Sequence, residues 1–306
     1  MKTWHYALIV LLGGSSYGIL STVVKLAYSN GFTMTQVSGS QLITGTLLLW
    51  LTVLFTKRKK LGLAQIVKLL VSGIPVGLTS VFYYQALQTL DASLAIVFLF
   101  QFVWIGTLLE WLIGRKKPTS SKIISIVILL IGTVFSSGLL TGGMTELPWI
   151  GIMWGMLSAI TFSAFIYISS SVGNELPPVQ KSAILSTGGL MTVMVLFPPT
   201  FLLNINELSG LVPYGFLLGL FGVVLPPVLF AIGMPRVGVG LGTILAAAEL
   251  PVAVIMSAII LAEQVTIIQW VGVVVILGGI YVGNLNLSFV KTVPSMNSST
   301  LKKKEA

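Results

Sequence analysis

Residues 239–261 read VGLGTILAAAELPVAVIMSAIIL, a stretch holding one ionisable side chain, Glu249, and one proline, Pro251. At about 1.5 Å of rise per residue, a helix of this length crosses the roughly 30 Å hydrocarbon layer of a bilayer. Barrel strands would alternate polar and apolar over about 10 residues, and this stretch does not. Similar apolar runs recur at 6–26, 37–55, 64–87, 92–113 and 123–140, then at 148–169, 183–203, 212–232 and 267–287. Counting 239–261, ten runs predict ten transmembrane helices. The run 6–26 is too long for a signal-peptide core and lacks a small-residue cleavage site, so it reads as a retained helix.

Composition agrees. Charged residues make up 8% of the 306 positions and apolar ones 55%, with a mean hydropathy of +1.00. A soluble domain carries about a quarter charged residues, so this chain cannot coat itself for water. The formal charge of +9 does not indicate nucleic-acid binding, because the basic residues sit in short clusters between apolar runs. With no cysteine, disulfides and thiolate metal sites are excluded. The single histidine, His5, lies at the start of the first helix and reads as interfacial.

Loop charge orients the chain. On the side of the N-terminus, side A, fall Lys57, Arg58, Lys59, Lys60, Arg115, Lys116, Lys117, Lys181, Arg236 and the tail lysines. The opposite side B holds Asp91, Glu146, Glu207 and Glu263, and of all lysines and arginines only Lys25 strays toward it. Side A is therefore expected to be cytoplasmic, with both termini inside a cytoplasmic membrane. The halves also repeat. Leu42 with Thr44-Gly45 matches Leu185 with Thr187-Gly188, and Thr119 and Gly132 match Thr266 and Gly279. Five helices per half is an odd number, so the second half enters from the opposite face, the inverted repeat of many secondary transporters. The expected division is 1–142, 143–287 and a disordered basic tail 288–306.

Several patterns resemble the drug/metabolite transporter superfamily, specifically its ten-helix EamA-type members, over roughly 6–284. They are Lys25 closing the first helix, Tyr83-Tyr84-Gln85-Ala86-Leu87, Glu249-Leu250-Pro251, Ala262-Glu263, Gly272 and Gly278-Gly279. The resemblance implies two inverted five-helix bundles around a central cavity, with metabolites or drugs as substrates. Three positions depart from the pattern: Gln41 where an arginine is common, Arg115 in place of an acid, and Val103 in place of a proline.

Charges in hydrocarbon single out candidate site residues. Glu249 falls near the midplane, a candidate to bind substrate or a proton, and Pro251 beyond it can break the helix. Ala246, Ala247 and Ala248 permit close helix approach. The alternative for Glu249 is a protonated hydrogen-bonder packed between helices. Aligning the ends of the fourth and ninth helices sets Gln101 opposite Glu249, both expected to face the cavity or, equally, to bond between helices. Tyr17 and Trp104 are further cavity candidates. Lys25, Gln41 and Tyr83 are expected at a gate or outer mouth, with snorkelling the alternative for Lys25. Glu110, a turn before Arg115, is expected in an interfacial ion pair.

Gly238, Gly240 and Gly242 follow an apolar helix and no strand, which fails the context of a phosphate loop. No Walker lysine, zinc-protease or acyl-hydrolase motif occurs, and no metal site or cofactor is expected. The reading is a non-enzymatic secondary transporter for a small-molecule solute, export favoured over import, driven by the solute gradient or by protons. Its partners are the solute, the lipid bilayer and protons, with a homo-oligomer left open and no nucleic acid. The competing classes are a polytopic enzyme acting on lipids and a nontransporting sensor or scaffold.

Overall fold

The computed structural model describes residues 3–90, 92–137, 148–203 and 205–284. The basic tail 288–306 and the loop acids Asp91 and Glu146 lie outside the described residues. Every regular element among the described residues is helical. The helices follow the apolar runs as α1 Thr3–Ser29, α2 Met34–Leu54, α3 Leu63–Thr89, α4 92–112, α5 Ser120–Ser136, α6 Trp149–Ser171, α7 Pro178–Leu196, α8 Ser209–Val237, α9 Val239–Ile260 and α10 Ile267–Asn284. Among the described residues nine are long and apolar enough to cross a membrane, and α5 is a shorter apolar helix.

Local chemistry sets the ends. The Thr33 hydroxyl accepts from Gln36 N while the Gln36 side chain accepts from Thr33 N at 2.7 Å, a reciprocal cap that starts α2. Thr266 and Gln269 form the same reciprocal cap at α10, and Thr119 caps α5 by accepting from Lys122 N. The run expected from 183 begins earlier, at Pro178, and the helix carries Lys181 inside. That ammonium is satisfied rather than solvated, donating to Ser169 O and Asn174 Oδ1, both at 2.9 Å. Gly238 turns the chain from α8 into α9 alone, with φ +80, which a side chain would resist.

The helices turn many of their bulky apolar side chains outward. Leu47, Val195 and Ile259 are 65%, 80% and 73% exposed, whereas Ser125, Ser158, Ser163 and Thr243 are fully buried. This is the distribution of a protein bathed in lipid: the outer surface is matched to hydrocarbon, and small residues let backbones approach inside.

The two halves meet symmetrically. Helix α5 lies along α10, and Ser125 Oγ donates to Gly279 O at 2.6 Å. In the mirrored contact, a Cβ on Gly132 would stand 3.1 Å from Gly272 O. Likewise α2 crosses α8 where Gly45 meets Gly219, and α7 crosses α3 where Gly188 meets Gly73. Helix α1 packs on α8 as α6 packs on α3. Contacts of residue i with j on one side and of their repeat mates on the other define a pseudo-two-fold axis.

Two helices are broken at matching points. The fourth runs Ala92–Leu99, turns through Phe100 and Gln101, and resumes as Phe102–Leu112. The ninth runs Val239–Ala246, turns through Ala247 and Ala248, and resumes as Glu249–Ile260. These breaks superpose Phe102, not Gln101, on Glu249, and the same register superposes Thr119 on Thr266 and Gly132 on Gly279. The alignment made on helix ends was one residue out, and one residue turns a side chain about 100° around a helix.

Candidate functional site

Helix α1 passes tightly over the break in α9. A Cβ on Gly14 would come 2.7 Å from Ala246 Cα, and one on Gly18 would come 2.7 Å from Val252 Cβ. Only glycine permits that approach, and it sets Tyr17 beside Glu249. The break lies at Ala247–Ala248, before Pro251 rather than at it. Proline lacks the N–H that would bond to the carbonyl four residues back, at Ala247, and its ring crowds that carbonyl. Glu249 therefore begins the second segment of α9 in the interior of the bundle.

In front of it lies a cavity of about 350 Å³. Tyr17, Gln41, Tyr83, Phe162 and Glu249 line it, and it runs out to Lys25, Tyr28, Glu263 and Gln264 at the side B ends of α1 and α9. Toward side A it ends on a buried apolar cluster with Phe100, Phe102, Phe165, Phe230 and Met234. Phe102 and Phe162 meet edge-on at 4.8 Å, and Tyr17 meets Phe162 edge-on at 5.5 Å. The cavity is thus open toward side B and sealed toward side A.

Tyr17 and Tyr83 both lie within electrostatic reach of the Glu249 carboxyl. Gln41 forms part of the cavity wall, accepting from Tyr84 Oη at 2.8 Å. Gln101 and Trp104 do not line the cavity at all: Gln101 Nε2 donates to Val97 O at 3.0 Å, and Trp104 Nε1 donates to Gln101 Oε1 at 2.7 Å. For Gln101 the register slip accounts for this, since the pseudo-symmetry mate of Glu249 is Phe102, which is fully buried in the seal; Trp104, singled out by its depth alone, lies on an outer face of its helix, 36% exposed.

At the mouth Lys25 Nζ pairs with Glu263 Oε1 at 2.8 Å, joining α1 to the α9–α10 loop. Ser257 Oγ donates to the other oxygen of Glu263. Burial alone would raise the Glu263 carboxyl, but the hydrogen bonds from Lys25 and Ser257 and the Lys25 charge outweigh it and hold the group below its ordinary range. Ala262 takes φ +52 to aim Glu263 back at these partners. Glu263 was the missed half of this pair. The signal was present in the sequence, since a lone cation on the acidic side of the membrane calls for a neighbouring acid.

On side A, Glu110 is 6% exposed and accepts from Lys122 Nζ at 2.8 Å and from Gly240 N at 3.0 Å. Lys122, not the nearby Arg115, is its ion partner. Because Gly240 opens α9, this carboxylate ties the first half to a helix N-terminus of the second, where a negative charge is favoured.

Fold and cavity together define a polytopic helical membrane protein with two inverted repeats around a central chamber. The sequence match is specific: the EamA-like transporter family model covers residues 4–138 and again 149–285. The chain belongs to the EamA-like transporter family. It is also similar to a protein of known crystal structure, with a TM-score of 0.69 over 90% of this chain and 98% of the other, at 18% identity. That level of identity speaks for the fold. No curated protein matches the chain.

Proposed function

We propose that this protein carries a small organic solute through the cytoplasmic membrane by alternating access, with Glu249 at the binding site and export the favoured direction. The observation that carries the reading is the chamber between the repeats, closed toward side A and open toward side B, with the Glu249 carboxyl at its inner end. A charge at that depth costs about 2.5–3.5 kcal/mol on insertion scales, and an ionisable side chain placed there is by default a functional one.

Side A, which carries the basic loops, is cytoplasmic in this reading, so the described state faces outward. Return to the inward state requires the Phe102–Phe162 seal to part and the Glu110–Lys122–Gly240 tie to release. The mouth pair of Lys25 and Glu263 then closes the outer end. Energy comes from the solute gradient or from proton exchange at Glu249.

Metabolite profiling of cells with and without the gene would nominate solutes, and uptake of those solutes into vesicles holding the purified protein tests the reading. Flux is expected in wild type and a loss of at least about tenfold in Glu249→Gln. A Glu249→Gln variant with full flux at every pH defeats the role given to Glu249. Protein-free vesicles matching the protein-loaded ones defeat transport itself.

A further inference from the structure

Resting on that reading of the cavity, we infer that its solute is an organic cation: an ammonium group carried on an aromatic or branched apolar body, with Glu249 as counter-ion. The first argument is charge. The cavity lining contains Lys25, Glu249 and Glu263 as its acidic and basic side chains. Lys25 and Glu263 neutralise one another at 2.8 Å, which leaves the Glu249 carboxyl, at the inner end, as the one acidic or basic group of the lining without an ionic partner. No hydrogen bond or ion pair reaches the Glu249 carboxyl among the described residues, and the repeat supplies no compensating partner, because its mate is Phe102.

The second argument is what surrounds that charge. Tyr17, Tyr83 and Phe162 line the same chamber. Aromatic faces next to a carboxylate bind a cation by both the ion pair and the ring quadrupole, while the rest of the solute buries against the apolar wall. An anion would meet Glu249 unscreened and would have to part Lys25 from Glu263. A neutral solute would gain no ion pair from the Glu249 carboxyl.

Size is the third. A volume near 350 Å³ falls in the range of sites that enclose one small organic molecule. On α1, Gly18 lies against the Glu249 backbone and Lys25 is seven residues further on, which at helical rise separates the inner carboxylate from the mouth by about 10 Å along the axis. A bicyclic aromatic amine fits that depth lengthwise.

Three probes with one aromatic body test the inference on full-length protein in nanodiscs at neutral pH: tryptamine, its neutral alcohol tryptophol, and the anion indole-3-acetate. Tryptamine is expected to bind at least about tenfold more tightly than the alcohol, with the acid weakest. Glu249→Gln is expected to erase the preference for amine over alcohol, and Glu249→Asp to keep it. Equal or tighter binding of the alcohol or acid to wild type overturns the inference, as does an amine preference that survives in Glu249→Gln. Failure of the amine to bind overturns it too. The transport reading fails separately: if the amine preference holds but no solute crosses vesicles, the cation site stands and the carrier does not.

Discussion

Three acidic side chains illustrate three environments. Glu249 faces a cavity without a partner, Glu263 shares a solvated mouth with Lys25, and Glu110 is buried with both a cation and a helix N-terminus on it. Their removal should cost different amounts. Glu110→Ala strands the Lys122 ammonium and an amide in a dry site, so it should destabilise the protein by about 3 kcal/mol, read as a lowered melting temperature in detergent. Adding Lys122→Met should recover part of that loss, and a double variant no better than the single would refute the pairing. Lys25 and Glu263 are 40% and 46% exposed, and Lys25→Met should cost at most about 1 kcal/mol. The mouth pair has a defined pH window. The Glu263 carboxyl is held below its ordinary value of 4.5, so its contribution is complete above that value and is lost only as pH falls below it. Spin labels across the mouth should report a constant separation from neutral pH down to about pH 5, and widening already at pH 6 would contradict the assignment.

At the scale of elements, the broken helices and the glycine crossings carry the architecture. Helix α9 is broken because Pro251 cannot bond to Ala247, and α4 is broken at the matching point without a proline, so the break belongs to the packing of the repeat as much as to one residue. The crossing of α5 and α10 offers a controlled comparison within one helix. A Cβ at Gly272 would press into Gly132 O at 2.8 Å, whereas one at Gly278 would meet nothing within 4 Å. Gly278→Ala should therefore be neutral or gain up to about 1 kcal/mol from helix propensity. Gly272→Ala should lose about 1–3 kcal/mol through overpacking. Thermal denaturation of the two variants side by side checks the crossing, and equal melting temperatures would mean that the helices do not touch there.

For the whole molecule, an even number of crossings and an inverted second half require both chain ends on one face. The chain has no cysteine, so single cysteines placed near each terminus can be labelled from either side of sealed vesicles without a background. Both should react from the face that carries the basic loops, and reaction from opposite faces would undo the inverted pairing. The apolar runs and the charge asymmetry sufficed for the helix count, because burial in hydrocarbon and the cost of moving charge across it act on each segment independently of its neighbours. They also single out Glu249 as a candidate, since an acid in mid-membrane stands out in a one-dimensional reading. Tertiary structure alone decided what surrounds it. Tyr17, Gln41, Tyr83 and Lys25 reach the same cavity as Glu249, while Gln101 and Trp104 turn to each other: depth along a helix does not say which face a residue occupies, and a register read one residue out names a side chain about 100° away. The partnership of Lys25 with Glu263 was divided between the two: a lone cation on the acidic side called for an acid near it, but 238 positions separate the pair in the chain, and only the packing of α1 against α9 selects Glu263 among the side B acids.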